Sequence, residues 1–253
     1  QDNAYFDRLC AHAQKQGIRS ILGFGTHEGA QTRLISAAHD ATGSAIVADI
    51  LGERINCRIP MPGAHIVMNA LGALTVIKAL HGGVATVIPA LEKLTPVEGR
   101  GVRHTVSLAN GAAATLIDEA YNANPASMLA AFSVLELARP EGKGRRIAVL
   151  GDMLELGPKA PEFHAELATG LQHHKTDLVF CCGPLMRHLY GALPPHMRGG
   201  YAADSAALAP IVAEALSPGD GILLKSSKGS KVSLIVTDLL HRYAKTGQKQ
   251  HAV

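Results

Sequence analysis

The apolar positions of the chain change their spacing several times, and each change predicts an element. Near the start, Tyr5–Gln14 reads as a helix and Ile18–Phe24 as a strand. Leu34–His39, Ala45–Leu51 and Arg54–Ile59 read as strands, with Gly43 and Gly52 at turn positions. Apolar residues at 67, 70, 71, 74 and 77 then follow helical spacing, and Ala85–Leu94 reads as a further helix. The segment Thr95–Gly101 interrupts the pattern with Pro96, Gly99 and Gly101 around Arg100, as a linker or hinge does. Beyond it, His104–Leu108 and Ala112–Ile117 flank Asn110–Gly111, a strong short hairpin signal. Strands at Arg146–Leu150, Asp177–Cys182 and Gly221–Lys225 then alternate with helices at Ser127–Ala138, Glu162–His173, Pro184–Tyr190, Ser205–Leu216 and Lys231–Tyr243. Such alternation implies right-handed crossovers and a mostly parallel sheet, so the fold class is α/β and the second part is Rossmann-like.

Length and composition narrow the partners. The 253 residues suffice for two ordinary domains, and a 47 % hydrophobic share against 18 % charged can fill two cores. A net charge of +3 without a dense basic block, no Trp and 4 % aromatics argue against a nucleic-acid partner. No run approaches 18 apolar residues, so membrane insertion is not expected. The four cysteines form no C-x-x-C pair, which argues for small buried thiols in a reducing cytoplasm and against a zinc site. The opening Gln1–Asp2–Asn3 reads as a loop already inside a fold, as in a piece of a longer protein.

The chemistry concentrates where strands end. Ligands of open α/β sheets bind at the carboxyl ends of the strands. There, Ile117–Met128 packs an acid pair, Tyr121, Asn122 and Asn124 ahead of Pro125, a residue suited to the first turn of a helix. Asp118 can accept two hydrogen bonds from ribose hydroxyls, and the competing reading is a polar turn with a helix cap. Arg100 offers a guanidinium fork for phosphate between two glycines that let a ligand approach, or it is a solvated linker residue. His65 and Asn69, four apart and so on one helix face, can hold an adenine edge, or serve as a cap and a buried amide. Asp152 and Glu155 follow the strand ending at Leu150 and are read as pointing into the crevice, or as an ordinary loop. Lys228 and Ser230 stand before a helix N-terminus suited to a carboxylate, although no G-x-x-x-x-G-K-[ST] loop is present.

Gly63–Ala70, Glu98–Arg100, Ile117–Met128, Val149–Gly157 and Lys228–Ser230, in this order and spacing, resemble the Mur ligase family, most closely its dipeptide-adding branch. The resemblance implies a partial P-loop-type central domain over 1–101 followed by a complete Rossmann-like C-terminal domain over 102–253. It implies an ATP-dependent amide ligase using Mg2+, whose partners are UDP-MurNAc-tripeptide and D-alanyl-D-alanine, working as a cytoplasmic monomer. By similarity, His65, Asn69, Arg100, Asp118 and Asn122 would bind ATP. Asn124, Asp152, Glu155, Lys228 and Ser230 would bind substrate. The phosphate-loop lysine and metal ligands of the family have no counterpart in this sequence, so the chain alone is expected to be inactive. Glu119 and Lys231 depart from the family pattern, in which an aspartate and an asparagine or arginine are common. Another ligase of this superfamily, such as a folylpolyglutamate-type enzyme, and a stand-alone nucleotide- or dipeptide-binding module are the alternatives.

Overall fold

A computed structural model describes residues 1–80, 82–108, 112–138 and 140–248, which fall into two compact units, Gln1–Thr95 and Pro96–Val253. The Asn110–Gly111 turn lies outside the described residues.

The first unit holds α1 (Phe6–Lys15), then β1 (Phe24–Gly25), β2 (Thr32–Asp40), β3 (Gly43–Ile50) and β4 (Glu53–Ile59), then α2 (Ala64–Ala79) and α3 (Ile88–Leu91). The strands form one sheet in chain order, with β1–β2 parallel and the other pairs antiparallel. Along β4, Ile55, Cys57 and Ile59 are buried and alternate with exposed Arg54, Asn56 and Arg58, the period of a strand with one covered face. The covering element is α2, whose Val67, Ala70, Leu71 and Leu74 fall on one stripe and pack on Ile46, Ala48 and Ile50 of β3. Leu51 and Gly52 turn β3 into β4 with φ of 48° and 84°, the left-handed pair that matches strand twist.

Two elements differ from expectation. The Ile18–Phe24 strand contracts to Phe24–Gly25, because only those residues find β2 as a partner, and Ile18 is exposed. The Ala85–Leu94 helix contracts to Ile88–Leu91. Pro89 has no N–H to bond the Ala85 carbonyl, so it sits in the first turn and the helix starts beside it, and the chain leaves through i→i+3 bonds from Lys93 and Leu94.

The second unit runs β5 (Val102–Ser107), β6 (Ala113–Glu119), α4 (Pro125–Leu137), β7 (Arg146–Gly151), α5 (Ala160–His173), β8 (Leu178–Cys182), α6 (Met186–Ala192), β9 (Arg198–Ala202), α7 (Ser205–Ala215), β10 (Gly221–Lys225) and α8 (Ser233–Gln248). The sheet order is β5-β6-β10-β7-β8-β9, with β5 antiparallel to β6 and the rest parallel. Residues of α4, α5 and α6 build the core on one face, and those of α7 and α8 build the core on the other. Adjacent Cys181 and Cys182 point into opposite cores, and burial pushes both thiols up, that of Cys182 to about 12. Strand β9 has no counterpart in the sequence reading. Its Gly199 and Gly200 look like turn residues, but a Cβ on Gly199 would stand 2.6 Å from the Phe180 ring, so the glycines admit that ring.

Strand β10 returns to insert between β6 and β7 after the chain has travelled outward to β9. Chain direction across the sheet reverses there, and the carboxyl ends of β6, β10 and β7 surround that switch point.

Candidate strand-end site

Three strand ends and one preceding segment make up the site. The preceding segment, Gly99–Gly101, is stitched to the end of β6. Asp118 is 4 % exposed, and its Oδ2 accepts the Gly99 N–H at 3.2 Å while its Oδ1 accepts the Ala120 N–H at 3.0 Å. The Gly101 N–H donates to the Asp118 carbonyl, and the Tyr121 N–H donates to the Gly99 carbonyl. Gly99 and Gly101 take φ of 70° and 94°, where a side chain is strained. A Cβ on Gly99 would also meet Tyr121 at 2.9 Å. The glycines beside Arg100 thus serve a tight contact with Tyr121 and Asp118.

Arg100 itself is exposed, and its Cζ lies 4.5 Å from the centroid of the Tyr121 ring. From the loop after β10, the Lys228 Nζ lies 5.6 Å from the same centroid. Two cations from separate loops therefore gather on one aromatic ring, whose negative face attracts both.

Lys225 closes the otherwise apolar strand β10 and is 2 % exposed. Its Nζ donates to the Asn122 carbonyl at 2.9 Å and lies 3.4 Å from Glu119 Oε2. Burial lowers its pKa from 10.5, and the Glu119 charge opposes that shift.

The loop after β7 is fixed from three sides. Contrary to the expectation that it points into the crevice, Asp152 is 4 % exposed and turns its carboxylate to the start of α6. It accepts the Leu185 and Met186 N–H groups there, the latter at 2.8 Å. An anion at unsatisfied helix N–H groups is favourable, which explains the orientation. The Asp152 N–H donates to Ser230 Oγ at 3.0 Å, and the Asp152 carbonyl accepts the Ser227 N–H. Ser227 Oγ accepts the Leu154 N–H at 3.0 Å and donates to the Ala123 carbonyl at 3.3 Å, so one hydroxyl ties the loops after β6, β7 and β10. Buried His164 accepts the Met153 N–H at Nε2 and donates from Nδ1 to the Ala160 carbonyl, a neutral tautomer whose pKa burial lowers. Glu155 is exposed with φ of 63°, an uncommon backbone for a side chain of its size.

Of the residues read from sequence, Arg100 and Lys228 meet on the Tyr121 ring, Asp118 holds the Gly99 N–H, and Ser230 accepts the Asp152 N–H. Asn122 is exposed, with its Oδ1 on the Ala123 N–H. Asn124 caps α4 in a reciprocal box with Ser127, which commits its Oδ1 to the helix. In the first unit, half-buried His65 and exposed Asn69 share one face of the first turns of α2. Lys225, Ser227 and His164 went unread as contributors. The available signal was a lone lysine ending an apolar strand, opposite Glu119 in register with β6.

Residues 103–228 match the family described as "Mur ligase, glutamate ligase domain", and residues 1–77 match "Mur ligase middle domain". The chain is 34 % identical over 221 residues to the UDP-N-acetylmuramoyl-tripeptide–D-alanyl-D-alanine ligase of Bacillus subtilis, covering 86 % of this chain and 46 % of that protein. It is 32 % identical to the enzyme of the same name from Mycobacterium tuberculosis, covering 83 % of this chain and 42 % of that protein. The chain thus spans about half the length of the curated relatives it matches. Its fold resembles a crystal structure of MurF from Acinetobacter baumannii (TM-score 0.81, 22 % identity, 95 % of this chain and 50 % of that one). It also resembles MurF ligase from Thermotoga maritima in complex with ADP (TM-score 0.76, 22 % identity, 95 % and 53 %).

Proposed function

Since the chain belongs to the Mur ligase family, we propose that it forms part of an ATP-dependent ligase adding D-alanyl-D-alanine to UDP-MurNAc-tripeptide in peptidoglycan synthesis. In this reading residues 1–101 are the latter part of the central domain and residues 102–253 are the C-terminal domain. The observation that carries it is the gathering of Arg100 and Lys228 on Tyr121, beside Asp118, at the switch point of a parallel sheet.

Amide formation from a carboxylate and an amine needs the carboxylate activated, here as an acyl phosphate. The dipeptide amine then attacks it and phosphate leaves. Both stages spread negative charge over phosphoryl and acyl oxygens, so a protein accelerates them by positioning and by cations aimed at that charge. Arg100 would meet phosphate oxygens and Lys228 the carboxylate of the dipeptide, with Ser230 beside it. Asn122 would line the cleft. Asp118, held by two backbone donors, keeps further lone pairs for a ribose hydroxyl. His65 and Asn69 would receive the adenine edge.

Among the described residues no three His, Cys, Asp or Glu side chains converge as a metal-ligand set. In the ligase reading the Mg2+ ligands and the phosphate-loop lysine have no counterpart in this sequence, so the 253-residue chain by itself should not turn over. None of its described helices is long and apolar enough to cross a membrane. The reading takes the protein to be a cytoplasmic monomer acting on small molecules. Calorimetric titration of the chain with D-alanyl-D-alanine and with ADP, followed by a ligation assay, tests the reading. Saturable binding without turnover supports it, and absence of binding to either compound counts against it.

A further inference from the structure

A buried ammonium needs partners, since removing a charge from water costs several kcal/mol unless opposite charge and hydrogen bonds replace the lost hydration. Lys225 meets that condition with groups from the last residue of β6 and the turn that follows it. Its Nζ donates to the Asn122 carbonyl at 2.9 Å and faces Glu119 Oε2 at 3.4 Å, while the residue is 2 % exposed. Register places Lys225 directly opposite Glu119, so the stem crosses from one strand end to the next without reaching solvent. Between the two residues it grips lies Tyr121, the ring on which Arg100 and Lys228 converge at 4.5 and 5.6 Å. Tyr121 is 43 % exposed, and its backbone N–H donates to the carbonyl of Gly99, against which it packs closely. Its place depends on that contact and on the residues before and after it.

We propose that Lys225 is a positioning residue, whose buried ammonium sets the turn 119–124 so that the Tyr121 ring receives Arg100 and Lys228 together. Lys225 touches no ligand in this scheme. It acts through the ring and the two exposed cations, and its value to ligand binding rests on the function proposed above. The neighbourhood accounts for a lysine here. Met would keep the stem but leave the Asn122 carbonyl without its donor and Glu119 without a counter-charge.

The test compares the wild-type chain with Lys225→Met by NMR, at a temperature where circular dichroism shows both folded. The readouts are the ring-current shifts of the Arg100 δ-protons and Lys228 ε-protons, and the affinity for D-alanyl-D-alanine. A merely structural lysine would lower the melting temperature and leave the shifts of those two exposed side chains in place. We expect Lys225→Met to lose both shifts and to bind the dipeptide about tenfold more weakly, about 1.4 kcal/mol. Glu119→Gln, which keeps the ammonium but weakens its anchorage, should move the same resonances by less. Should Lys225→Met prevent folding, the Glu119→Gln spectrum decides the question. Unmoved Arg100 and Lys228 resonances in a folded variant would overturn the proposal. Failure of the wild-type chain to bind dipeptide would instead count against the ligase reading, with the ring-current shifts still deciding the role of Lys225.

Discussion

The two units present polar residues in opposite ways. In the first, His65 and Asn69 stand on consecutive turns of a single helix, whose other face does the packing through Val67, Ala70, Leu71 and Leu74. In the second, the candidate residues come from four separate segments, and buried polar atoms tie those segments together. Asp118, Asp152, Ser227 and Lys225 are each under 10 % exposed and each bond to another loop or helix end. A site on one helix inherits its geometry from backbone hydrogen bonds, whereas a site assembled from loops needs side chains whose only task is to hold the loops. Substitution should therefore separate stability from binding in the first unit and mix them in the second.

The largest effect should come from Asp152→Ala. It strips the N–H groups of Leu185 and Met186 of a charged acceptor in a buried setting, and loss of about 2–4 kcal/mol is expected in urea unfolding of the second unit. Gly151→Ala comes next. The added Cβ would stand 2.4 Å from Ser230 Oγ and 2.7 Å from Val232, and overpacking of this kind costs about 1–3 kcal/mol. A smaller effect depends on pH. His164 is neutral in the fold with its pKa lowered from 6.5, so its contribution is complete above 6.5 and is lost as pH falls through the folded value. Urea midpoints measured from pH 7.5 down to 5 should fall more steeply for wild type than for His164→Gln. Asn69→Ala should be the mildest, changing stability by less than about 0.5 kcal/mol because the residue is exposed, while weakening ADP binding. A loss of several kcal/mol at Asn69, or none at Asp152, would erase the contrast between the units.

Much of this arrangement is visible in the sequence, and the parts that are not share a cause. Period-2 alternation in β4 and the helical stripe of α2 are local consequences of burial, so they read directly. The α/β class follows from the alternation of elements after Gly101, and the polar residues at strand ends stand out against apolar runs. What does not read is which polar side chain turns inward. Asp118 and Asp152 each follow an apolar strand, yet Asp118 clamps the Arg100 segment while Asp152 caps α6, and only the positions of Gly99 and Met186 decide this. Likewise the sequence marks Gly99 and Gly101 as linker glycines, but not their positive φ or the contact with Tyr121. Strand β9 escapes because its glycines answer to Phe180, a residue far away in sequence. Tertiary contacts of this kind leave no local period.

The strand-end site is tested most directly by an NMR titration of the isotope-labelled chain with D-alanyl-D-alanine. Saturable shifts are expected, confined to Gly99–Gly101, Tyr121–Asn124 and Lys228–Ser230. Shifts clustered instead at the opposite end of the sheet, in the depression of about 760 Å³ lined by Lys143, Arg145, Ser217 and Gly219, would contradict it.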